Sequence, residues 1–216
     1  MKRLIYILSL LMVLPRLWAQ EVNEIEPPVE DEVVVGAIGG TVDVSALGGA
    51  VYSIPIQVPE GMGGVQPNLS IVYNSQSGNG LLGWGWSLGG LSAITRVGQT
   101  EYHDGFVCGV SLDYLDRFAL DGQRLMVLDG LTYVSNNAEY RTEVDGMSKI
   151  VSYTESGFSG PKCFKVFTAD GLIMEYGNAV NARVVHNNNV DSQTVVIWLL
   201  NRVEDRNGNY MVYNYR

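Results

Sequence analysis

The sequence predicts an all-β protein, built as an antiparallel meander, sandwich or partial barrel of short strands. Runs rich in Val, Ile, Leu and Tyr alternate with turn signals along most of the chain. No convincing amphipathic helix follows residue 19, and 25 glycines with 12 tyrosines favour turns and strands. The turn signals are Asp-Gly and Asn-Gly pairs, which tolerate the positive φ angles of tight hairpins. They are Asp104-Gly105, Asp121-Gly122, Asp129-Gly130, Asp145-Gly146, Asp170-Gly171 and Asn207-Gly208.

The first 19 residues have the pattern of a secretory signal peptide. Lys2 and Arg3 form a charged start, Leu4–Leu14 is an apolar stretch, and Ala19 offers a small residue for cleavage. An uncleaved anchor is the alternative, although the apolar stretch is too short to span a bilayer comfortably. We therefore expect export, to the extracellular space or the periplasm.

An acidic segment follows the signal. Residues 20–35 contain Pro27-Pro28 and several glutamates with little apolar pattern, which is typical of an extended linker. The whole chain has a net charge of −9, and removal of the signal would make it more negative. This balance disfavours nucleic acids and anionic membranes as partners.

Residues 36–216 are expected to form one β domain, since 46% hydrophobic and 17% charged residues indicate an ordered globular protein. Val33–Val35 is a possible start of the first strand. Pro55 and Pro59 lack the N–H that a ladder needs, so the run around them is expected to be an edge or bent strand. The predicted strands are Thr41–Ser45, Ala50–Val58, Leu69–Asn74, Leu91–Val97, Arg124–Leu128, Leu131–Val134, Lys149–Tyr153, Lys162–Thr168, Leu172–Tyr176, Val195–Val203 and Tyr210–Tyr215.

A Gly-rich segment around Trp84 and Trp86 is predicted to be a packing corner. Glycines permit tight bends and close backbone approach, and two large indoles between them are expected to be buried. The residues assigned to this packing corner are Pro67, Asn68, Tyr73, Asn74, Gly78, Gly80, Gly83, Trp84, Gly85 and Trp86. Asp121 and Gly122 are assigned a structural role in a hairpin turn.

Two cofactor-like patterns are better explained as turns. Gly78–Gly83 matches the G-x-G-x-x-G of dinucleotide sites, with Glu101 at a plausible distance, but poor helix-forming residues follow it. Asp205-x-Asn207-x-Asn209 resembles the start of a calcium loop, but it lacks the glycine and the glutamate that complete one. We therefore assign no cofactor and no metal ligand.

Catalytic residues are likewise not assigned. His103 could act as a base for a Cys108 nucleophile, but no oxyanion-hole motif accompanies the pair. Cys108 and Cys163 could form a disulfide in an oxidising compartment or remain free thiols, and the second state is favoured. The chain is thus expected not to be an enzyme.

A sugar-binding platform is the alternative function. Exposed aromatic rings stack on sugars, whereas buried rings build cores. Exposure of Trp84 and Trp86 distinguishes an adhesin-like or carbohydrate-binding module from a structural one. The candidate rings are Trp84, Trp86, Trp198, Tyr213 and Tyr215.

The stretch Pro55–Leu88 resembles the opening domain of the SpvB family, which includes the B subunits of insecticidal toxin complexes. It reads P-I-x-V-P-x-G-x-x-G-x-Q-P-N-L-S-I-x-Y-N-S-x-x-G-N-G-L-L-G-x-G-W-S-L. The resemblance implies a secreted, non-catalytic virulence module that contributes to a β-rich, shell-like assembly enclosing a toxic cargo. Further matches are Asp116-Arg117-Phe118, Leu120–Leu125, Tyr140–Glu143 and Glu175-Tyr176-Gly177.

The C-terminal stretch resembles one unit of the tyrosine–aspartate (Rhs/YD) repeats that follow this domain in such proteins. Val195–Val203 and Tyr210–Tyr215 should form a hairpin across Asn207-Gly208, with Asp205 near the turn. The resemblance implies a partner in a downstream Rhs/YD-repeat or toxin region, before which the sequence is expected to be truncated. An open last strand would also permit self-association.

Overall fold

The computed structural model describes residues 39–128, 131–186 and 193–216. The predicted signal peptide, the linker, Val33–Val35 and the Asp129-Gly130 turn lie outside these residues. A four-residue helix, α1 (Glu101–Asp104), and two short 3-10 turns accompany the strands. The strands are β1 (Thr41–Val44), β2 (Ala50–Pro55), β3 (Ser70–Asn74), β4 (Asn79–Gly80), β5 (Gly83–Trp84), β6 (Trp86–Gly89), β7 (Ala93–Val97), β8 (Arg117–Leu120), β9 (Gln123–Val127), β10 (Glu139–Thr142), β11 (Lys149–Thr154), β12 (Pro161–Phe167), β13 (Ile173–Tyr176), β14 (Arg183–His186), β15 (Thr194–Glu204) and β16 (Tyr210–Val212).

Eight antiparallel strands form a closed, barrel-like sheet. Strands β7 to β13 pair in chain order as a meander, and β15 pairs with both β7 and β13. The all-β prediction is confirmed, and a closed barrel is the form that the main sheet takes. Closure leaves the barrel strands without open edges, which protects them from pairing with other chains.

The long strand β15 joins the barrel to two further strands. Its first half pairs with β7 on one side and with β14 on the other. Its second half pairs with β13 and with β16. A bulge at Asn201, where the register to β13 shifts, separates the two halves.

Aromatic rings fill the interior of the barrel. Phe118, Tyr140, Phe164 and Trp198 have no exposed surface. The Trp198 ring lies edge-on to Phe118 and Phe164, with centroids 5.3 and 5.0 Å apart. Its indole N–H donates to the backbone carbonyls of the β12 start, so the polar atom is satisfied. The barrel therefore encloses a packed core rather than a channel.

A second, four-stranded sheet has the order β1-β2-β3-β6, and a small hairpin, β4–β5, extends from it. The prediction that the Pro55 run is an edge or bent strand holds only locally: β2 as a whole lies between β1 and β3, but β1 pairs only with residues 50–53, so among the described residues Pro55 has a neighbour on the β3 side alone. Pro55 is tolerated there because it is the last residue of β2, where the missing N–H removes no hydrogen bond from the interior of the sheet.

Most predicted strands are confirmed within one to three residues, but Leu131–Val134 is a loop. Tyr133 explains the difference, because its ring stacks on Phe118 and its hydroxyl donates to Leu125 O. Six short strands were not predicted: β4, β5 and β6 lie in the Gly-rich segment, and β8, β10 and β14 contain charged residues. The helix α1, which Thr100 caps at the start, was not predicted either.

Four of the predicted turn pairs lie between strands that pair with each other. Asp121-Gly122 is a two-residue turn between β8 and β9, with φ of 48° and 83°, as a type I′ hairpin requires. Asp104-Gly105 differs, since Gly105 (φ 76°) ends α1 in the left-handed region. The three other hairpin pairs are Asp145-Gly146, Asp170-Gly171 and Asn207-Gly208.

Gly122→Ala is expected to lower the free energy of unfolding by about 1 kcal/mol, because alanine is strained at a positive φ. Gly146→Ala is the matched control: Gly146 has open space around its Cα and no positive φ. The control should be neutral or slightly stabilising. Urea unfolding of both variants measures the difference, and equal midpoints would contradict the turn assignment.

Candidate functional site

The predicted packing corner forms only in part. The Tyr73 and Trp86 rings lie 5.1 Å apart, and Gly85 is buried against Tyr73, where a Cβ would come within 2.6 Å of the ring. Asn74 N–H donates to Gly85 O, which ties β3 to the start of β6. Trp84, however, is 71% exposed, and Trp86 is half-buried. The prediction that both indoles are buried is therefore wrong, because no described part of the chain covers this sheet.

The Gly78–Gly83 segment is a hairpin and not the start of a helix. Gly80 pairs with Gly83 and Asn79 with Trp84, so the segment has none of the strand–turn–helix geometry that holds a pyrophosphate. The backbone at Gly90 approaches Asn68 so closely that a Cβ would lie 1.8 Å from the Asn68 carbonyl oxygen. Close contacts thus give Gly80, Gly90 and Asn68, which follows Pro67 in the loop before β3, a packing role, whereas a Cβ on Gly78 or Gly83 would meet nothing within 4 Å.

A cleft of about 510 Å³ lies where β7 ends, beside α1 and the start of β9. Several polar residues line the cleft, although most of its exposed surface is apolar. The Gln99 side-chain oxygen, which is buried, has no hydrogen-bond partner among the described residues. Gly122 lines the cleft, whereas Asp121 accepts from Ser92 Oγ and Ala93 N–H at the start of β7. The lining residues are Val97, Gly98, Gln99, Thr100, His103, Ala119, Gly122, Gln123, Arg124, Glu143 and Val144.

Asp104 organises the base of this cleft. It accepts from Arg117 Nε at 2.9 Å and also bonds Arg124, and Thr100 N–H donates to it at 2.9 Å. Burial alone would raise the pKa of Asp104, but the Thr100 hydrogen bond and the two guanidinium groups outweigh it and lower the pKa. Asp104 is therefore an anchor for α1, held as a carboxylate.

His103 and Cys108 do not form a catalytic pair. His103 Nδ1 lies 2.9 Å from Thr100 Oγ1, and its Nε2 lies 3.1 Å from Glu143 Oε1. Cys108 Sγ lies 3.5 Å from Ser111 Oγ. Both ring nitrogens of His103 thus have partners other than the thiol. Cys108 and Cys163 are free, as the favoured prediction stated.

The Asp205–Asn209 segment is a hairpin turn. Asp205 Oδ1 accepts from the backbone N–H groups of Asn207 and Asn209 at 2.8 and 2.9 Å. Asn209 Nδ2 donates to the other carboxylate oxygen at 2.8 Å. These bonds use the oxygens that a calcium ion would need. In the part of the chain that the structure describes, no three His, Cys, Asp or Glu side chains cluster as metal ligands.

The sequence analysis missed the most buried charged residues, Arg96 and Asp116. Their side chains are each 1% exposed, and Arg96 Nη1 lies 3.1 Å from Asp116 Oδ2. Arg96 lies between Phe118 and Trp198, with its guanidinium carbon 5.6 and 5.7 Å from the two ring centroids. The strand pattern did indicate that Arg96 is buried, since Arg96 lies two residues after the core residue Ile94 and therefore on the same face of β7.

Arg96 also holds three segments of backbone together. Its Nε donates to Val195 O at 2.7 Å, and its other nitrogens donate to Asp113 O and Ser159 O at 3.1 Å. Burial lowers the pKa of the Arg96 guanidinium, and the Asp116 carboxylate opposes that shift. The pair therefore closes one end of the barrel.

Two solved toxin structures contain a similar fold. The crystal structure of TcdB2-TccC3 aligns with a TM-score of 0.65 and 23% identity over 84% of this chain. The N-terminal domain of the effector protein SpvB from Salmonella typhimurium strain LT2 aligns with a TM-score of 0.57 and 19% identity over 74%. The chain covers 9% and 53% of those two chains, respectively. At these identities the likeness concerns the fold.

No curated protein sequence matches the chain. Within the described residues, no helix is both long and apolar enough to cross a membrane. The family model of the Salmonella virulence plasmid 65 kDa B protein matches residues 44–216, which is most of the chain and includes every described strand except most of β1. This protein therefore belongs to the SpvB family, and its domain is a virulence- and toxin-related module.

Proposed function

We propose that this protein is a secreted, non-catalytic structural module that contributes to the β-rich wall around a toxic cargo. The observation that carries the proposal is the closed barrel with a solid aromatic core, in which Phe118, Tyr140, Phe164 and Trp198 have no exposed surface. A densely packed interior resists deformation and water entry, which suits a wall. It provides no buried chamber in which a substrate could react.

The chemistry of the cleft supports a structural role. Asp104 is bonded by Arg117 and Arg124, and His103 is bonded by Thr100 and Glu143. The Asp104 carboxylate and the two guanidinium groups attract one another and fix the position of α1. We therefore assign these residues to the fold.

The relatives support a part in a larger assembly. TcdB2-TccC3 contains a similar fold within a chain of which this protein covers 9%. In the described residues β16 pairs with β15 alone, and Tyr210 and Val212 are 58% and 49% exposed. An exposed edge strand can accept another strand, so we infer that a downstream tyrosine–aspartate-repeat region adds to β16.

Asn214→Pro tests this attachment. Tyr213 N–H donates inward to Asn201 O, so the neighbouring Asn214 N–H faces the outer edge, where an added strand would bind it. Proline removes that donor and should weaken binding about tenfold, whereas Asn214→Ala keeps the donor and should bind like the wild type.

The probe is the tyrosine–aspartate-repeat segment of a toxin-complex B subunit, expressed separately, and calorimetry measures its binding. Equal affinities of the proline and alanine variants would contradict strand addition at β16. Failure of the wild-type chain to bind would contradict the structural proposal itself.

A carbohydrate-binding module is the second candidate, and the exposure of Trp84 is the observation that favours it. Trp198 is fully buried and Trp86 packs on Tyr73. Tyr213 and Tyr215 are half-buried, and the Tyr215 hydroxyl donates to Leu200 O, so Trp84 is the one largely exposed ring of the predicted set. A single exposed indole is a weak sugar platform, which makes the structural role the better supported function.

A further inference from the structure

The four-stranded sheet has one apolar and one mainly polar face. Pairing registers align Val42, Tyr52, Tyr73 and Trp86 in one row across β1, β2, β3 and β6. Because side chains alternate along each strand, the residues two positions away share that face. They are Val44, Ala50, Ile54, Ile71 and Leu88, whereas the opposite face carries Thr41, Asp43, Val51, Ser53, Pro55, Ser70, Val72, Asn74 and Ser87.

The apolar face is not covered by any of the residues that the structure describes. No residue of β1, β2, β3 or β6 is fully buried, and Val42 and Val44 are 79% and 66% exposed. The same alternation in β7 buries Ile94 completely. An amphipathic antiparallel sheet normally packs its apolar face on another layer. Within residues 39–128, 131–186 and 193–216, this face therefore has no covering layer.

We propose that a second copy of this chain covers the apolar face, as two sheets packed face to face about a two-fold axis parallel to the strands. The row grows in size across the sheet, from Val42 through two tyrosines to Trp86. Such an axis places β1 of one copy opposite β6 of the other, so that the small Val42 meets the large Trp86. Opposing small and large side chains in this way gives a layer of even thickness, as sheet packing requires.

Charge does not oppose the contact. The apolar face contains no ionisable side chain except the tyrosine hydroxyls, and Asp43 of β1 belongs to the opposite face. The net charge of −9 therefore lies on other surfaces of each copy. A wholly uncharged patch is compatible with itself, since the same residues meet on both sides of a two-fold interface.

The size of the face predicts a weak dimer. Four strands of about five residues span roughly 19 by 17 Å, and two such faces with their rims bury on the order of 1,000 Å². That area is at the lower limit for specific interfaces, so the dimer should depend on concentration. The inference goes beyond the wall function and does not require it.

Sedimentation velocity of the purified chain, from about 5 to 500 µM, tests the dimer. Val42→Glu should weaken self-association at least about tenfold, because a carboxylate would be buried without a partner. Thr41→Glu is the matched control, since it adds the same charge on the same strand but on the opposite face. Both side chains are exposed in the single chain, so neither change should alter the circular dichroism spectrum.

Several results would overturn the proposal. A wild-type chain that stays monomeric over the whole range would do so, as would equal effects of Val42→Glu and Thr41→Glu. If Asn214→Pro abolishes association and Val42→Glu does not, the contact is made by β16. If the chain is monomeric but sediments with phosphatidylcholine vesicles in a Val42-dependent manner, a lipid surface covers the face instead. None of these outcomes depends on binding of a repeat segment, which tests the wall function separately.

Discussion

Asp116→Ala is expected to lower the free energy of unfolding by about 3–5 kcal/mol, because it leaves the buried Arg96 guanidinium without its counter-ion. The two side chains are each 1% exposed, so water cannot replace the lost carboxylate. Asp116 also accepts from the backbone N–H groups of Ser111 and Leu112 at 2.7 and 2.8 Å. The same substitution therefore releases the loop that precedes β8.

Glu155→Ala is the matched control for Asp116→Ala. Glu155 pairs with Lys162, but its side chain is 57% exposed, and such surface pairs contribute about 0–1 kcal/mol. Urea unfolding of both variants, followed by tryptophan fluorescence, measures the two changes. If Asp116→Ala is no more destabilising than Glu155→Ala, the Arg96–Asp116 pair does not hold the barrel end closed.

Trp198→Ala is expected to destabilise the protein by about 3–5 kcal/mol, as large aromatic truncations in cores do. Trp198 is fully buried, contacts Phe118 and Phe164, and hydrogen-bonds β12 through its indole N–H. Alanine would leave a cavity at the centre of the barrel and two β12 carbonyl groups without this donor.

Trp84→Ala is the control for Trp198→Ala, and it should change stability by no more than about 0.5 kcal/mol because Trp84 is largely exposed. Trp86→Ala should fall between the two, since Trp86 is half-buried and packs on Tyr73. This ranking replaces the expectation that Trp86 is a full core residue. Thermal unfolding of the three variants tests it, and equal effects of Trp84→Ala and Trp198→Ala would contradict the filled barrel.

Local patterns predicted the elements better than the site. The Asp121-Gly122 turn and the hairpin across Asn207-Gly208 were predicted correctly, because turn residues and the strands beside them are close in sequence. Short strands such as β10 were missed because they are brief and contain few apolar residues: in Glu139–Thr142 only Tyr140 marks the buried face. Arg96 was missed as a core residue because its partner, Asp116, belongs to a loop that the strand pattern does not describe.

By itself the sequence determined that this protein is all-β, where most of its strands and hairpin turns lie, and which family it resembles. Only the tertiary structure decided that β15 closes a barrel with β7, since that pairing joins residues about a hundred positions apart and depends on the packing of both. It also decided that Trp198 is buried while Trp84 is exposed, although both are indoles in β-type runs. Burial depends on whether another layer covers a strand, and that is a property of the assembled sheets rather than of the local sequence.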